Sequence, residues 1–176
     1  MLQPIYLTGE RVIPYATAFD FCRTFTEELH RLYLLSLLLT ADHDKAEKCI
    51  VNALGECGDG IGVFAEWASS WARRAILKYA IQMIRPLPEH PDSLPLIRRN
   101  GSGPLIENNP FSTIVALGAF ERFVYVMSIL EGQSEQDCAI LLRCSRRDVI
   151  IARVLSLTRV ANTGAAYAQA NVCVQV

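Results

Sequence analysis

Cations and aromatic rings are interleaved at two places in this 176-residue chain, and these are the residues with the plainest chemistry to offer. Trp67, Trp71, Arg73, Arg74 and Lys78 fall close together in the first half, and Arg143, Arg146, Arg147 and Arg153 in the second. Aromatic faces stack on unpaired bases and guanidinium or ammonium groups neutralise phosphates, so both sets suit contact with nucleic acid. A second reading stands beside each. Trp67 and Trp71, four residues apart, fit the apolar stripe of a helix that also carries Phe64, Ala75 and Tyr79, with the cations on its solvated face. Arg146 and Arg147 fit equally as solvated residues at the start of a helix.

Other chemistry is poorly served. His30, His43 and His90 share no metal-ligand spacing with each other or with the cysteines. There is no glycine-rich phosphate loop, no nucleophile elbow and no HExxH pair. The expectation is a protein that is not an enzyme, with no catalytic residues, no metal ligands and no cofactor. The six cysteines (Cys22, Cys49, Cys57, Cys138, Cys144, Cys173) include no CxxC pair. Cys49 and Cys138 fall in phase with apolar neighbours, where a free thiol acts as a small hydrophobe.

Composition narrows the class. Apolar residues make up 51% of the chain, enough to fill a core and too many for a disordered protein. The run from Leu32 to Ala41 is far shorter than the roughly 20 residues that span a bilayer, so no membrane partner is expected. The chain opens Met1-Leu2-Gln3-Pro4 with no basic head before an apolar stretch, which points to the cytoplasm. Net charge is −1: residues 1–90 carry 9 basic and 11 acidic groups, residues 111–176 carry 6 and 5. A dedicated DNA binder is usually more basic, because phosphate neutralisation supplies much of its affinity.

The period along the chain is helical, and an all-α fold is expected, with two small domains. Residues 87–110 read as a linker: the stretch Pro86 to Pro110 holds six of the eight prolines, and a continuous helix cannot cross it. Residues 1–86 form the first domain. Phe21, Phe25, Leu29, Leu32 and Leu35 place one long helix or two abutting ones over Phe19 to Leu39. Asp44 with Glu47 offers a capping-box start to the next helix, and a third is expected from about Val63 to Arg85, stopped by Pro86. Residues 111–176 form the second domain. A helix over Phe120 to Leu130 ends at Glu131-Gly132. Ser134-Glu135-Gln136-Asp137 and Ser145-Arg146-Arg147-Asp148 then repeat one helix-start pattern eleven residues apart, around a tight Arg143-Cys144 turn. Two capped helices at that spacing make a helix-turn-helix unit. Ala161 to Val176 carries no charge and could extend the last helix or pair elsewhere.

The order of these parts resembles the extracytoplasmic-function sigma factors of bacterial RNA polymerase, which keep two helical domains, regions two and four. The resemblance runs from about Leu34 to Thr158. It rests on Lys45-Ala46-Glu47-Lys48-Cys49-Ile50-Val51-Asn52, on Trp67 to Arg74, and on Leu130-Glu131-Gly132-Gln133-Ser134 leading into the helix-turn-helix. It implies core RNA polymerase as a partner, gripped through Lys45, Glu47, Lys48 and Asn52. It also implies promoter DNA, met by Trp67, Trp71, Arg73, Arg74 and Lys78 in the first domain and by Arg143, Arg146, Arg147 and Arg153 in the second, and an anti-sigma protein as controller. The polar positions depart from the family. Lys45 and Lys48 stand where its usual Asp-Ala-Glu-Asp-Leu-Val-Gln-Glu helix has acids, and Ile150 and Ala152 stand where its recognition helix has Lys and Arg.

Two functions are therefore expected to compete. One is a sigma-like initiation or regulatory protein that binds polymerase and promoter DNA. The other is a diverged relative that has lost DNA binding and acts through protein contacts, self-association among them, with the apolar run Val149, Ile150 and Ile151 as its partner-binding surface.

Overall fold

The computed structural model describes residues 15–57, 62–88 and 110–172, with side chains described as far as Thr163 and excluding Pro110. Helix α1 (Ala18–Glu27) starts at Thr17, whose hydroxyl accepts from the Asp20 amide while the Asp20 carboxylate accepts from the Thr17 amide at 3.0 Å. This reciprocal cap satisfies two amides that a helix start leaves unpaired. Of the two arrangements expected over Phe19 to Leu39, the structure has the two abutting helices: α1 ends at Glu28 and α2 (Leu29–Thr40) follows, ending on Ala41 in the left-handed region at φ 54°. Helix α3 (His43–Gly55) is capped by Asp42, which accepts from the Lys45 amide at 3.0 Å. The cap thus lies two residues before the Asp44 expected from sequence. Asp42 has extended backbone and Asp44 is already helical, and only the former geometry turns a carboxylate back onto the first amides.

A single 3₁₀ turn over Ala65–Trp67 precedes α4 (Ala68–Ile84), so the helix expected from Val63 is shorter by five residues. Phe64 is held extended by an isolated bridge to Tyr15. The Ala16 amide donates to the Val63 carbonyl at 2.7 Å, and the Tyr15 and Phe64 rings stack at 5.0 Å. Beyond Pro88, most of the proline-rich linker lies outside the described residues. The chain re-enters as α5 (Pro110–Ala116), which the sequence pattern does not single out, and α6 (Ala119–Tyr125). A π-helical turn, Val126–Leu130, continues α6, with the Glu131 amide reaching the Val126 carbonyl at 3.0 Å. Helix α7 (Glu135–Leu142) is capped by Ser134, and α8 (Arg146–Val172) follows after Arg143, Cys144 and Ser145. At 1.5 Å per residue α8 is about 40 Å long. Among the described residues the regular structure is helical apart from the one bridge.

One buried cluster runs from Phe25 in α1 through Leu32, Leu39, Ile76, Phe123, Val126 and Met127 to Val149 and Ala152 in α8. The helices before the proline-rich segment and those after it thus pack into a single core. Arg122 crosses that seam. It is 7% exposed, and its guanidinium donates to the Leu39 carbonyl at the end of α2 (3.2 Å), to Val115 (3.2 Å) and to Leu117 (2.9 Å). Burial holds its pKa below the ordinary arginine value, and among the described residues no carboxylate pairs with it. Three carbonyls at helix ends take the place of a counter-ion, which suits a group with five donors fixed in one plane. Ser36 makes a smaller tie within the first half, donating to the Ala46 carbonyl at 2.9 Å.

Replacing Arg122 by methionine keeps much of the bulk and leaves three buried carbonyls short of a donor. The expected loss is about 2–4 kcal/mol of unfolding free energy, read from urea denaturation. Arg122→Lys should recover only part of it, because an ammonium cannot span all three acceptors. A loss below about 1 kcal/mol would show that water replaces the fork.

Candidate functional site

The solvent side of α3 carries Asp44, Glu47, Lys48, Val51 and Asn52 side by side on one open face, called the α3 groove below for the shallow gaps between these side chains. The opposite face (Ala46, Cys49 and Ala53) is buried on α2 and α4. The helix is therefore fixed from behind and presents a mixed surface outward. Val51 is 67% exposed among these polar side chains. Of the residues expected here from sequence, Glu47, Lys48 and Asn52 meet in the groove. Lys45 stands half-buried beside it, 3.9 Å from Asp42. Val51 is not among the residues the sequence reading selects, although an apolar residue out of phase with Ala46, Cys49, Ile50 and Ala53 is the available signal.

The first cation–aromatic set is split by the fold. Trp71 is half-buried and packs at a tilt on Phe21, with ring centroids 4.8 Å apart. Trp67 sits on the 3₁₀ turn, 56% exposed, edge-on to Phe64 at 5.3 Å. The stripe that would make both tryptophans core thus applies to Trp71 alone, because Trp67 precedes α4 and does not share its phase. Arg73 lies 3.6 Å from the Glu28 carboxylate and 3.8 Å from Glu131, bridging α4 to the break between α1 and α2 and to the end of the π turn. Lys78 pairs with Glu56, whose carboxyl is held below its ordinary range chiefly by that hydrogen bond. Arg74 is exposed. With Lys78 it lines a second groove, about 340 Å³, whose other wall is Gln133, Asp137, Ile140 and Leu141.

The second set lies at the α7–α8 turn. Arg143 closes α7 in the left-handed region at φ 54°, where a glycine would sit without strain. The Ser145 hydroxyl accepts from the Asp148 amide at 3.1 Å, and Asp148 accepts in return from the Ser145 amide at 3.1 Å. Arg146 and Arg153 both turn back to Glu135 at the start of α7, at 2.9 and 3.2 Å. One carboxylate thus holds two of the four arginines, and Glu135 is not among the residues the sequence reading selects. Its pKa is lowered, first by the hydrogen bond from Arg146 and then by the charges of both arginines. Arg143 and Arg147 are exposed and make no ion pair among the described residues.

The apolar run divides too. Val149 is fully buried in the core, so it is not part of a partner surface as expected. Ile150 and Ile151 are 40% and 48% exposed. The reason is helical phase: Val149, Ala152 and Ser156 repeat at three and four residues and face α5, α6 and α7, while the next two positions turn away. Val154, Leu155 and Leu157 are exposed with them.

Cys49 and Cys138 are buried, Cys22 is exposed, and burial pushes the thiols of Cys57 and Cys138 up to about 11. Cys173 lies outside the described residues. Tyr33 and the Nδ1 of His43 are hydrogen-bonded at 2.7 Å. Among the described residues no three His, Cys, Asp or Glu side chains come together as metal ligands would, and no helix is long and apolar enough to cross a membrane. Comparison of the chain with protein-family models, with curated proteins and with solved structures gave no match.

Because the folded Glu135 pKa is depressed, its pairing stabilises the fold above the ordinary carboxylate range and is lost as pH falls through the lowered value. An NMR pH titration should find its carboxyl titrating below an ordinary glutamate. Arg146→Ala should move it back up further than Arg153→Ala does. Equal or reversed effects would mean that Arg153 is the dominant partner.

Proposed function

We propose that this chain is a sigma-like transcription-regulatory protein that binds core RNA polymerase through the solvent face of α3 and acts mainly through protein contacts. The observation that carries the reading is the exposed face of α3. Glu47, Lys48 and Asn52, the residues placed by resemblance at the polymerase contact, lie together on one open face around exposed Val51. A central apolar side chain ringed by polar ones is how protein interfaces concentrate their affinity. Lys45 and Lys48 in place of acids suit a partner surface that is neutral or acidic opposite them.

The α7–α8 unit supports the same emphasis. On this reading it is a helix-turn-helix in the second of two sigma-like domains, with α8 in the place of a recognition helix. A DNA-reading helix would turn cations toward phosphates. Here Glu135 pairs with Arg146 and Arg153 and offsets one of their two charges, and Ile150, Ile151 and Val154 occupy the outward face between them. Promoter contact is the second reading. Exposed Arg143 and Arg147 favour it, because they flank the turn at the start of α8, the end at which recognition helices meet base edges.

Co-elution of the chain with bacterial core polymerase on size exclusion tests the first reading. Wild type should co-elute, and Val51→Asp should abolish co-elution while leaving the far-ultraviolet circular dichroism unchanged. Failure of wild type to co-elute would overturn it. For the second reading, Arg147→Ala should weaken promoter binding by about 1–3 kcal/mol and relax sequence preference in a mobility shift at low salt. Binding unchanged by that substitution would remove Arg147 from base contact.

A further inference from the structure

Helix α8 is apolar on two opposite sides. One side enters the core through Val149, Ala152 and Ser156. The other carries Ile150, Ile151, Val154, Leu155 and Leu157, each at least 40% exposed. A helix that is apolar all round is normally buried all round. These five side chains expose on the order of 400 Å² of apolar surface, about the size of a functional patch on a monomer. That is roughly half of the ~800 Å² that each partner contributes to a standard interface. Arg147, Thr158, Ala161 and Asn162 are exposed on the same arc and extend it.

The spacing within the arc is specific. Arg147, Ile150, Val154, Leu157 and Ala161 follow one another at intervals of three, four, three and four residues, which is the seam of two helices packed side by side. We propose that α8 pairs with α8 of a second copy of this chain, antiparallel about a two-fold axis near Val154. A closed two-fold pair needs a surface complementary to itself, and this seam meets the requirement. About an axis at Val154, Ile150 and Ile151 of one copy lie opposite Thr158 and Leu157 of the other, and Val154 meets its own copy. Charge fixes the direction. A parallel pair sets Arg147 beside its own copy and gathers Arg146 of both chains at one end. The antiparallel pair puts Arg147 opposite Ala161, and the sequence beyond Arg159 carries no charged residue at all. The pairing uses a different helix from the α3 contact and does not depend on the polymerase reading.

Sedimentation velocity of the full chain over about 1–100 μM decides the proposal, this window bracketing the affinity of a small, weak interface. A monomer–dimer equilibrium is expected. Val154→Asp should weaken it on the order of 100-fold or more, since both copies bring the charge to the axis. Circular dichroism of that variant should match wild type, and so should its urea midpoint at concentrations low enough for both to be monomeric, because Val154 is 58% exposed. Ala161→Glu should tighten the dimer several-fold by placing a carboxylate opposite Arg147 of the other copy. A monomer throughout the range, or a dimer indifferent to Val154→Asp, overturns the pairing. A dimer weakened by Ala161→Glu overturns the antiparallel register, since only a parallel pair sets that carboxylate against itself. Val51→Asp should leave the dimer intact, so loss of polymerase binding and loss of self-association are read separately.

Discussion

A guanidinium held by three carbonyls sits where the two halves of this molecule meet, reaching across to Leu39 while Val115 and Leu117 hold it from its own side. Arg122 gives up most of its hydration to donate to Leu39, Val115 and Leu117, and burying a charge without an opposite charge nearby is costly. The arrangement persists because those carbonyls lie at helix ends, where the last acceptors have no partner within their own helices and where the macrodipole favours a cation. Arg122 therefore relieves several desolvation costs at once, at the junction where α2 meets α5 and α6. The apolar side chains around it, Leu39, Leu117 and Phe123 among them, supply more area but no direction. The fork specifies which end of α2 the second half sits against. With the halves held this way, Arg74 and Lys78 on α4 come to share a groove with Ile140 and Leu141 on α7.

That packing also decides which residues remain for function. Helices α3 and α8 are each buried on one side only, and both carry apolar side chains on the outward face. On α3 the exceptions are Val51, among polar neighbours, and the less exposed Leu54 in the last turn. On α8 the charges have moved to the margins. Arg146 and Arg153 fold back on Glu135, and Arg159 pairs with Glu121 at the base of α6. Each pair is exposed on the arginine side, and its energetic contribution is small. Their geometric effect is larger, since they draw cations to the edges of α8 and leave its middle apolar.

Much of the fold was legible because helix boundaries are written in local chemistry. Ser134 and Ser145 announce α7 and α8 by the same capping pattern, and Gly132 and Pro86 close the segments before them. The departures have local causes as well. Asp42 displaces Asp44 as a cap because backbone conformation, which side-chain type does not reveal, decides which carboxylate faces the amides. The 3₁₀ turn at Trp67 follows from the bridge between Tyr15 and Phe64, a contact between segments far apart in the chain. Helix α5 is only seven residues long, too short for an apolar period to declare itself. The seam across Arg122 was out of reach because an arginine's role depends on which carbonyls the tertiary fold brings within its span.

The candidate sites divide on the same principle. Lys48 and Asn52 share a face because a spacing of four residues on a helix guarantees it, whatever the rest of the chain does, and Glu47 is exposed beside them because the buried stripe of Ala46, Cys49 and Ala53 lies on the other side. Arg146 and Arg153, seven apart, were equally certain to lie on one side of α8. Their pairing with Glu135 depends on the turn at Arg143 folding α7 back against α8. The run Val149 to Ile151 shows the remaining ambiguity. Three consecutive apolar residues on a helix span about 200° of its surface, so at least one must leave a core that occupies a narrower arc. Sequence states that conflict without resolving it. Packing resolves it in favour of Val149, and the two isoleucines left outside, in phase with Val154 and Leu157, turn a helix with an ordinary buried stripe into one with a second face to satisfy.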